Sequence, residues 1–243
     1  ASSAVAQLTS EASFTEPAGN DFTPNSIPTN ELGWDSAGEN TNSEATQPLS
    51  FGSGSLSYTD GNGNSLDTQG NRVIFDTAGD TTSDNDNTFP RMRPTDDRAG
   101  QSFWVSALMQ SDGGLMQLGI RDTGGTQNLR INLTGGAQPD LVSNGQNATD
   151  FAPSITAGDT YFVVGEYRSI AGADNDEFEV WINPDIGGSS PTNALGNATV
   201  TMVASGQGDL AEINEIRPLS NMNASGIAAQ FDELRVGTSF GDV

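Results

Sequence analysis

The side chains that most enzymes use for chemistry near neutral pH are missing from this sequence. It holds no His and no Cys, which removes imidazole bases, thiol nucleophiles, Ser/His/Asp triads, disulfides and ordinary zinc or copper sites. Carboxylates and carboxamides remain, and they gather in three polar loops: Asp60-Gly61-Asn62-Gly63-Asn64, the stretch 80–87 with Asp84 and Asp86, and Asp174-Asn175-Asp176. Calcium takes about six to eight hard oxygens, which loops of this kind supply together with backbone carbonyls. Asp60, Asn62, Asn64, Asp84, Asp86, Asp174 and Asp176 are therefore candidate calcium ligands. None of the loops ends in the bidentate Glu of an EF-hand, and each reads equally well as a hydrophilic turn. No organic cofactor is implied.

A second chemistry is glycoside hydrolysis, which needs two carboxylates about 5 to 10 Å apart across a sugar cleft. Glu177 and Glu179 share one face of a strand-like run, where a solvated strand face is the competing explanation. Sugar binding without hydrolysis uses an aromatic platform beside amide and carboxylate groups. Of the three indoles, Trp104 reads as core; Trp34, in an irregular segment, and Trp181, opposite Val180 on its strand, are the candidate glycan platforms. Asn132, Asn147, Asn197 and Asn223 open Asn-x-Ser/Thr sequons, which the abundance of these residues explains by chance.

The elements that must position these groups are strands. Gly, Pro, Asn, Asp and Ser interrupt nearly every apolar run, and strand-like runs recur at 55–58, 72–75, 102–109, 115–120, 128–133, 161–167, 177–182, 198–203, 212–219 and 230–236. In 129–133 the apolar residues alternate, so one face is buried. They alternate again in 178–182, apart from Trp181. The runs Phe103-Trp104-Val105 and Tyr161-Phe162-Val163-Val164 are apolar on both faces, which suits central strands covered on either side. Residues 1–48 form a polar leader, irregular or with short strands; residues 49–243 form one β-sandwich unit with it.

Three motifs carry a family resemblance: Trp104-Val105-Ser106, then Val180-Trp181-Ile182-Asn183-Pro184-Asp185, and Phe231-Asp232-Glu233-Leu234-Arg235-Val236-Gly237-Thr238-Ser239. They resemble the concanavalin A-like, laminin-G-like jelly rolls of bacterial secreted and surface proteins. The resemblance covers about 49–243 and implies an all-β, antiparallel two-sheet jelly roll whose last strand returns beside the first. It implies little about activity, because lectins, glucanases and structural modules share this fold. It also implies a different calcium geometry, with Glu11 or Glu16 joined to Asp232. The string 176–181 does not reproduce the Glu-x-Asp-x-Glu pattern of the family's glucanases.

Nine Lys and Arg face 32 Asp and Glu for a net charge of -23, and every cation is Arg. Such a field repels phosphate backbones and anionic lipid, so neither nucleic acid nor membrane insertion is expected, while divalent cations and neutral polysaccharide are compatible. The small-residue start Ala1-Ser2-Ser3-Ala4 matches what remains after signal-peptide cleavage, predicting a secreted or extracellular-surface protein. The expected function is a non-catalytic structural or adhesive protein that associates with copies of itself or other surface proteins, in a filament or matrix. A calcium-dependent, lectin-like glycan-binding module is the alternative, and a glycosidase the third reading.

Overall fold

The computed structural model describes residues 8–12, 49–75, 94, 98–122, 127–143, 146–202, 208–221 and 229–243; Glu16, Trp34, Asp84, Asp86 and Asn223 lie outside them. Among the described residues thirteen strands run in order: β1 (Leu8–Ala12), β2 (Leu49–Gly52), β3 (Arg72–Phe75), β4 (Phe103–Ser111), β5 (Leu115–Arg121), β6 (Gln127–Thr134), β7 (Asp140–Ser143), β8 (Asn147–Thr149), β9 (Thr160–Arg168), β10 (Glu177–Ile182), β11 (Gly196–Thr201), β12 (Glu215–Asn221) and β13 (Ala229–Gly237). The one helical turn among the described residues is a 3₁₀ turn at Phe240–Asp242, and no helix there is long and apolar enough to cross a membrane.

The strands form two antiparallel sheets, an eight-stranded one ordered β11-β10-β9-β4-β13-β3-β2 with β1 also on β13, and a five-stranded one ordered β12-β5-β6-β7-β8. The last strand does return beside the first: Glu11 faces Arg235 and Ala12 faces Leu234. β1 falls within the polar leader.

Alternation builds the core between the sheets. Phe178, Val180 and Ile182 of β10 and Leu129, Ile131 and Leu133 of β6 are all buried in one cluster, and burying each such side chain contributes about 1.5–3 kcal/mol before entropy is counted. Gly165 on β9 has a packing reason, because a Cβ there would lie 2.5 Å from the Phe178 ring and 3.2 Å from Val105.

β4 and β9 lie near the centre of the larger sheet, and both of their faces are covered, as their apolar character predicts. Phe103 and Val105 face the inter-sheet core, whereas Leu108, Phe162 and Val164 belong to a second cluster with Leu56, Tyr58, Phe240 and Val243. That second cluster makes an outer layer, which segment 53–70 and the C-terminal turn build against the outside of the large sheet. The run 55–58, expected as a strand, is extended coil within this layer, with a single bridge nearby between Thr59 and Ser65. The Leu56 N–H donates to the Asp232 side chain and the Tyr58 carbonyl accepts from the Leu66 N–H, isolated bonds that do not extend into a ladder. Gly237 serves close approach as well as bending, since a Cβ there would meet Asp242 Cβ at 2.4 Å.

Candidate functional site

Buried carboxylates fasten the outer layer to the sheet. In β13, pairing with β4 shifts register between Asp232 and Arg235, and Glu233 adopts φ +50°. The bulge places two consecutive acids in the interior, both 0% exposed. Asp232 accepts from the backbone N–H of Leu56 at 2.7 Å and of Glu233 at 2.9 Å, one on each oxygen. Glu233 accepts from the Gln69 N–H and from Arg235, whose guanidinium also donates to the Asp67 carbonyl. Burial, then the neighbouring charge of Glu233, pushes Asp232 up to about 8 against the two N–H bonds that lower it. Burial raises Glu233 as well.

Asp60 plays the same part with the opposite electrostatic result. Its Oδ1 accepts from the N–H groups of Asn62 and Asn64, and its Oδ2 from the Asn64 amide and the Ile186 N–H, all at 2.9–3.0 Å. Burial works to raise this carboxyl, but the four donors outweigh it and hold Asp60 at about 2. Asp185 stands opposite, its Oδ2 accepting from the amides of Asn62 at 2.7 Å and Asn193 at 2.6 Å. Together these bonds lock the 60–64 turn onto the 183–186 turn. A group held low stabilises the fold above its unfolded value near 3.8, and that contribution disappears as pH falls toward 2. Asp60→Ala should therefore lower the melting temperature at pH 7 and reduce the acid-side slope of stability. Melts at stepped pH check this, and an unchanged acid limb would count against the anchor.

Asp209 organises the third acidic loop by accepting from the N–H groups of Asp174, Asn175 and Asp176. Asp176 in turn accepts from the Ile170 N–H and the Tyr167 hydroxyl, and that hydroxyl accepts from the Leu210 N–H at 2.7 Å. Among the described residues no three Asp or Glu side chains converge where they could hold a metal ion. The oxygens of Asp60, Asp176 and Asp232 accept from N–H or O–H donors, which a bound cation would have to displace. Glu11 lies on Arg235 at 3.1 Å, with its bond directed there and not to Asp232.

The larger sheet brings Glu177 and Glu179 together with Glu166, which faces Glu179 across strands. All three bind Arg168: Glu166 and Glu179 share one guanidinium nitrogen at 2.8 Å each, and Glu177 takes the other at 2.9 Å. Desolvation opposes the charge on Arg168, but the three carboxylates prevail and hold it above its ordinary range. Trp181 stacks on Trp104 with centroids 5.6 Å apart and planes 15° from parallel, while Phe240 tilts against Trp104 at 5.7 Å. Trp104 is thus half-buried in the outer layer, where the sequence suggested core. One ring face of Trp181 is taken by Trp104. Of the sequons, Asn147 and Asn197 are exposed, and half-buried Asn132 accepts from Gln117 at 2.6 Å.

Concavity occurs elsewhere, at the end of β9 and β10. A groove of about 460 Å³ is lined by Ser57, Tyr58, Thr59, Asp159, Thr160, Tyr161, Asn183 and Leu195. Tyr58 is fixed by donating to the Pro184 carbonyl at 2.9 Å and by stacking on Phe162 at 5.3 Å. Burial, then the charges of Asp60 and Asp185, pushes its hydroxyl up to about 12. Asn183, at φ +51°, accepts from the Phe162 N–H at 2.7 Å, while Leu195 is 44% exposed. Sequence reasoning found the Asn183-Pro184-Asp185 turn but not this groove, because Tyr58 and Tyr161 meet only through the outer layer.

No family model and no curated protein matches the chain. Among solved structures it is similar to a sialidase (13% identity, TM-score 0.48, 82% of this chain and 17% of that one). It is also similar to a carbohydrate esterase from Shiga toxin-encoding bacteriophage phi24B (8%, 0.44, 76% and 87%) and to lectin II from Ulex europaeus (8%, 0.38, 90% and 98%). The chain spans less than a fifth of the sialidase it resembles. At these identities the likeness concerns the fold alone, and the jelly-roll assignment stands on the strand order described above.

Proposed function

We propose that the protein is a non-catalytic, extracellular β-sandwich that binds neutral carbohydrate in the groove between Tyr58, Tyr161 and Leu195. The observation that carries this reading is the mixture of groups on that one concave surface. A pyranose offers an apolar face and directional hydroxyls; the groove offers an exposed Leu195 and the small exposed part of the buried Tyr58 and Tyr161 beside the hydroxyls of Ser57, Thr59 and Thr160, the Asn183 amide and the Asp159 carboxylate. The net charge of -23 argues against sulfated or uronate-rich polymers. The carboxylates considered for hydrolysis, Glu177 and Glu179, are both tied to Arg168, which supports binding over cleavage.

The test is a neutral-oligosaccharide array followed by calorimetric titration of whatever binds. Asp159→Ala removes a charge-assisted hydrogen bond worth about 1.5–3 kcal/mol, so affinity should fall about tenfold or more. Leu195→Asp should abolish binding. Both residues are exposed, so both variants should keep the wild-type melting temperature. Binding that ignores both substitutions, or release of reducing sugar by the wild-type protein, would overturn the proposal.

A further inference from the structure

The outward face of β10 and β11 continues from the groove. Asn183 and Leu195, both in the groove's lining, stand next to the ends of these two strands, and the Leu195 N–H donates to the Ile182 carbonyl at 2.8 Å. From there the register pairs Trp181 with Asn197, Glu179 with Thr199 and Glu177 with Thr201. Alternate residues of a strand share a face, so these pairs point outward together while Phe178, Val180 and Ile182 take the core side. Successive pairs lie about 6.6 Å apart, and the row from Leu195 to Thr201 is therefore about 20 Å long, the length of several pyranose rings in an extended chain.

This strip is open. Leu195, Asn197, Thr199 and Thr201 are exposed and Trp181, Glu179 and Glu177 half-buried, whereas segment 53–70 and the C-terminal turn cover β4 and β9 alongside. Trp104 stacks on Trp181 from that side, which sets the Trp181 indole at the border of the outer layer. β11 is an edge strand of its sheet, where an exposed row is ordinarily guarded by charge. It carries none: Asn197, Thr199 and Thr201 face outward in a chain of 32 Asp and Glu. Their amide and hydroxyl groups suit the directional hydroxyls of a sugar, and the indole supplies the apolar part. Glu179 accepts from the Asn197 amide at 3.3 Å, and Arg168 fixes both Glu177 and Glu179 while cancelling part of their charge.

We infer that the ligand class is a linear, neutral polysaccharide bound as an extended chain, with one sugar in the groove and the following ones laid along β10 and β11. This rests on the groove reading above and extends it from a site for one sugar to a track for several. A polymer gains from the track because its later sugars add contacts without a second loss of translational freedom. A mono- or disaccharide reaches only the groove and gains nothing from Trp181, Asn197 or Thr199.

The probes are cello- and manno-oligosaccharides of two to six residues, which are neutral, linear and extended, titrated calorimetrically. In at least one series the hexasaccharide is expected to bind about tenfold or more tighter than the disaccharide. Trp181→Ala removes the indole, and Thr199→Arg lays a long side chain across the strip; each should abolish the gain with length and leave disaccharide binding unchanged. Position 199 is exposed, so Thr199→Arg should keep the wild-type melting temperature, and it decides if Trp181→Ala, which also loses the stacking on Trp104, fails to fold. Equal affinity for two and six residues, or a gain that survives Thr199→Arg, overturns the inference. Disaccharide binding that is sensitive to Leu195→Asp but does not improve with length removes the track and keeps the groove. Silence in both series at every length refutes the track, and the wider array then judges the groove by itself.

Discussion

Exchange of Asp232 for Asn is expected to make the protein less stable than wild type near pH 4 and more stable above pH 8, with the two stability curves crossing in between. The sign follows from linkage. Asp232 rises from its ordinary 3.8 to about 8 on folding, so between those values the folded state holds a proton that the unfolded chain has released. Stability from this group is complete below pH 3.8 and declines as pH climbs toward 8, by up to about 5 kcal/mol. Asn carries no proton to lose and removes that decline. It also presents an amide to two N–H donors where the carboxyl presented two acceptors, at a cost of about 1–3 kcal/mol wherever the carboxyl was neutral.

Denaturant melts of both proteins from pH 4 to pH 9 would show the crossing. Glu233, raised in the same direction, remains in the variant, so its curve flattens without becoming level. A calcium ion held by Asp232 would reverse the sign, because ligation favours the charged carboxylate. A variant that is less stable than wild type at every pH, and most so in calcium, would refute the buried-acid account.

The second large effect belongs to Phe162→Ala. This ring is 0% exposed, yet it lies outside the inter-sheet core, stacked under Tyr58 in the outer cluster. If that layer is a true second core, the substitution costs what a core phenylalanine costs, about 3–5 kcal/mol, and lowers the melting temperature by about 10 °C or more. It should also release the wall of the groove. Two further signs are expected: limited proteolysis within 53–70 under conditions where wild type is uncut, and loss of glycan binding. Tyr58→Phe, which keeps the ring and loses only the bond to Pro184, should cost about 1 kcal/mol. A Phe162→Ala protein that melts like wild type would mean the outer layer is decoration.

Sequence by itself determined the fold class and most of the strands. Nine of the ten expected runs coincide with strands of the two sheets, because period-two alternation is a local property, written in residues such as 129–133 and 178–182. It also marked β4 and β9 as covered on both faces. The strands it did not single out, β2, β7 and β8, are three or four residues long, and β1 is a short strand of the kind allowed for the leader. Runs that short hold only one or two periods of alternation, too few to stand out from the polar residues around them, even where the partner is as near as β8 is to β7.

Tertiary structure alone decided what the acids do. Asp60 and Asp176 stand out in sequence because their loops resemble calcium loops in composition, and Asp232 because of the family resemblance; neither signal says where the N–H groups point. Leu56 lies 176 residues from Asp232, and Ile186 lies 126 from Asp60. Only folding brings those donors to the carboxylates, and their direction then sets one acid near 2 and another near 8. The same layer turned 55–58 from an expected strand into the lid of a second core. It placed one face of Trp181 against Trp104, and it opened the groove between two tyrosines 103 residues apart. Burial and hydrogen-bond geometry are sums over neighbours from the whole chain, whereas strand character is a sum over neighbours in sequence.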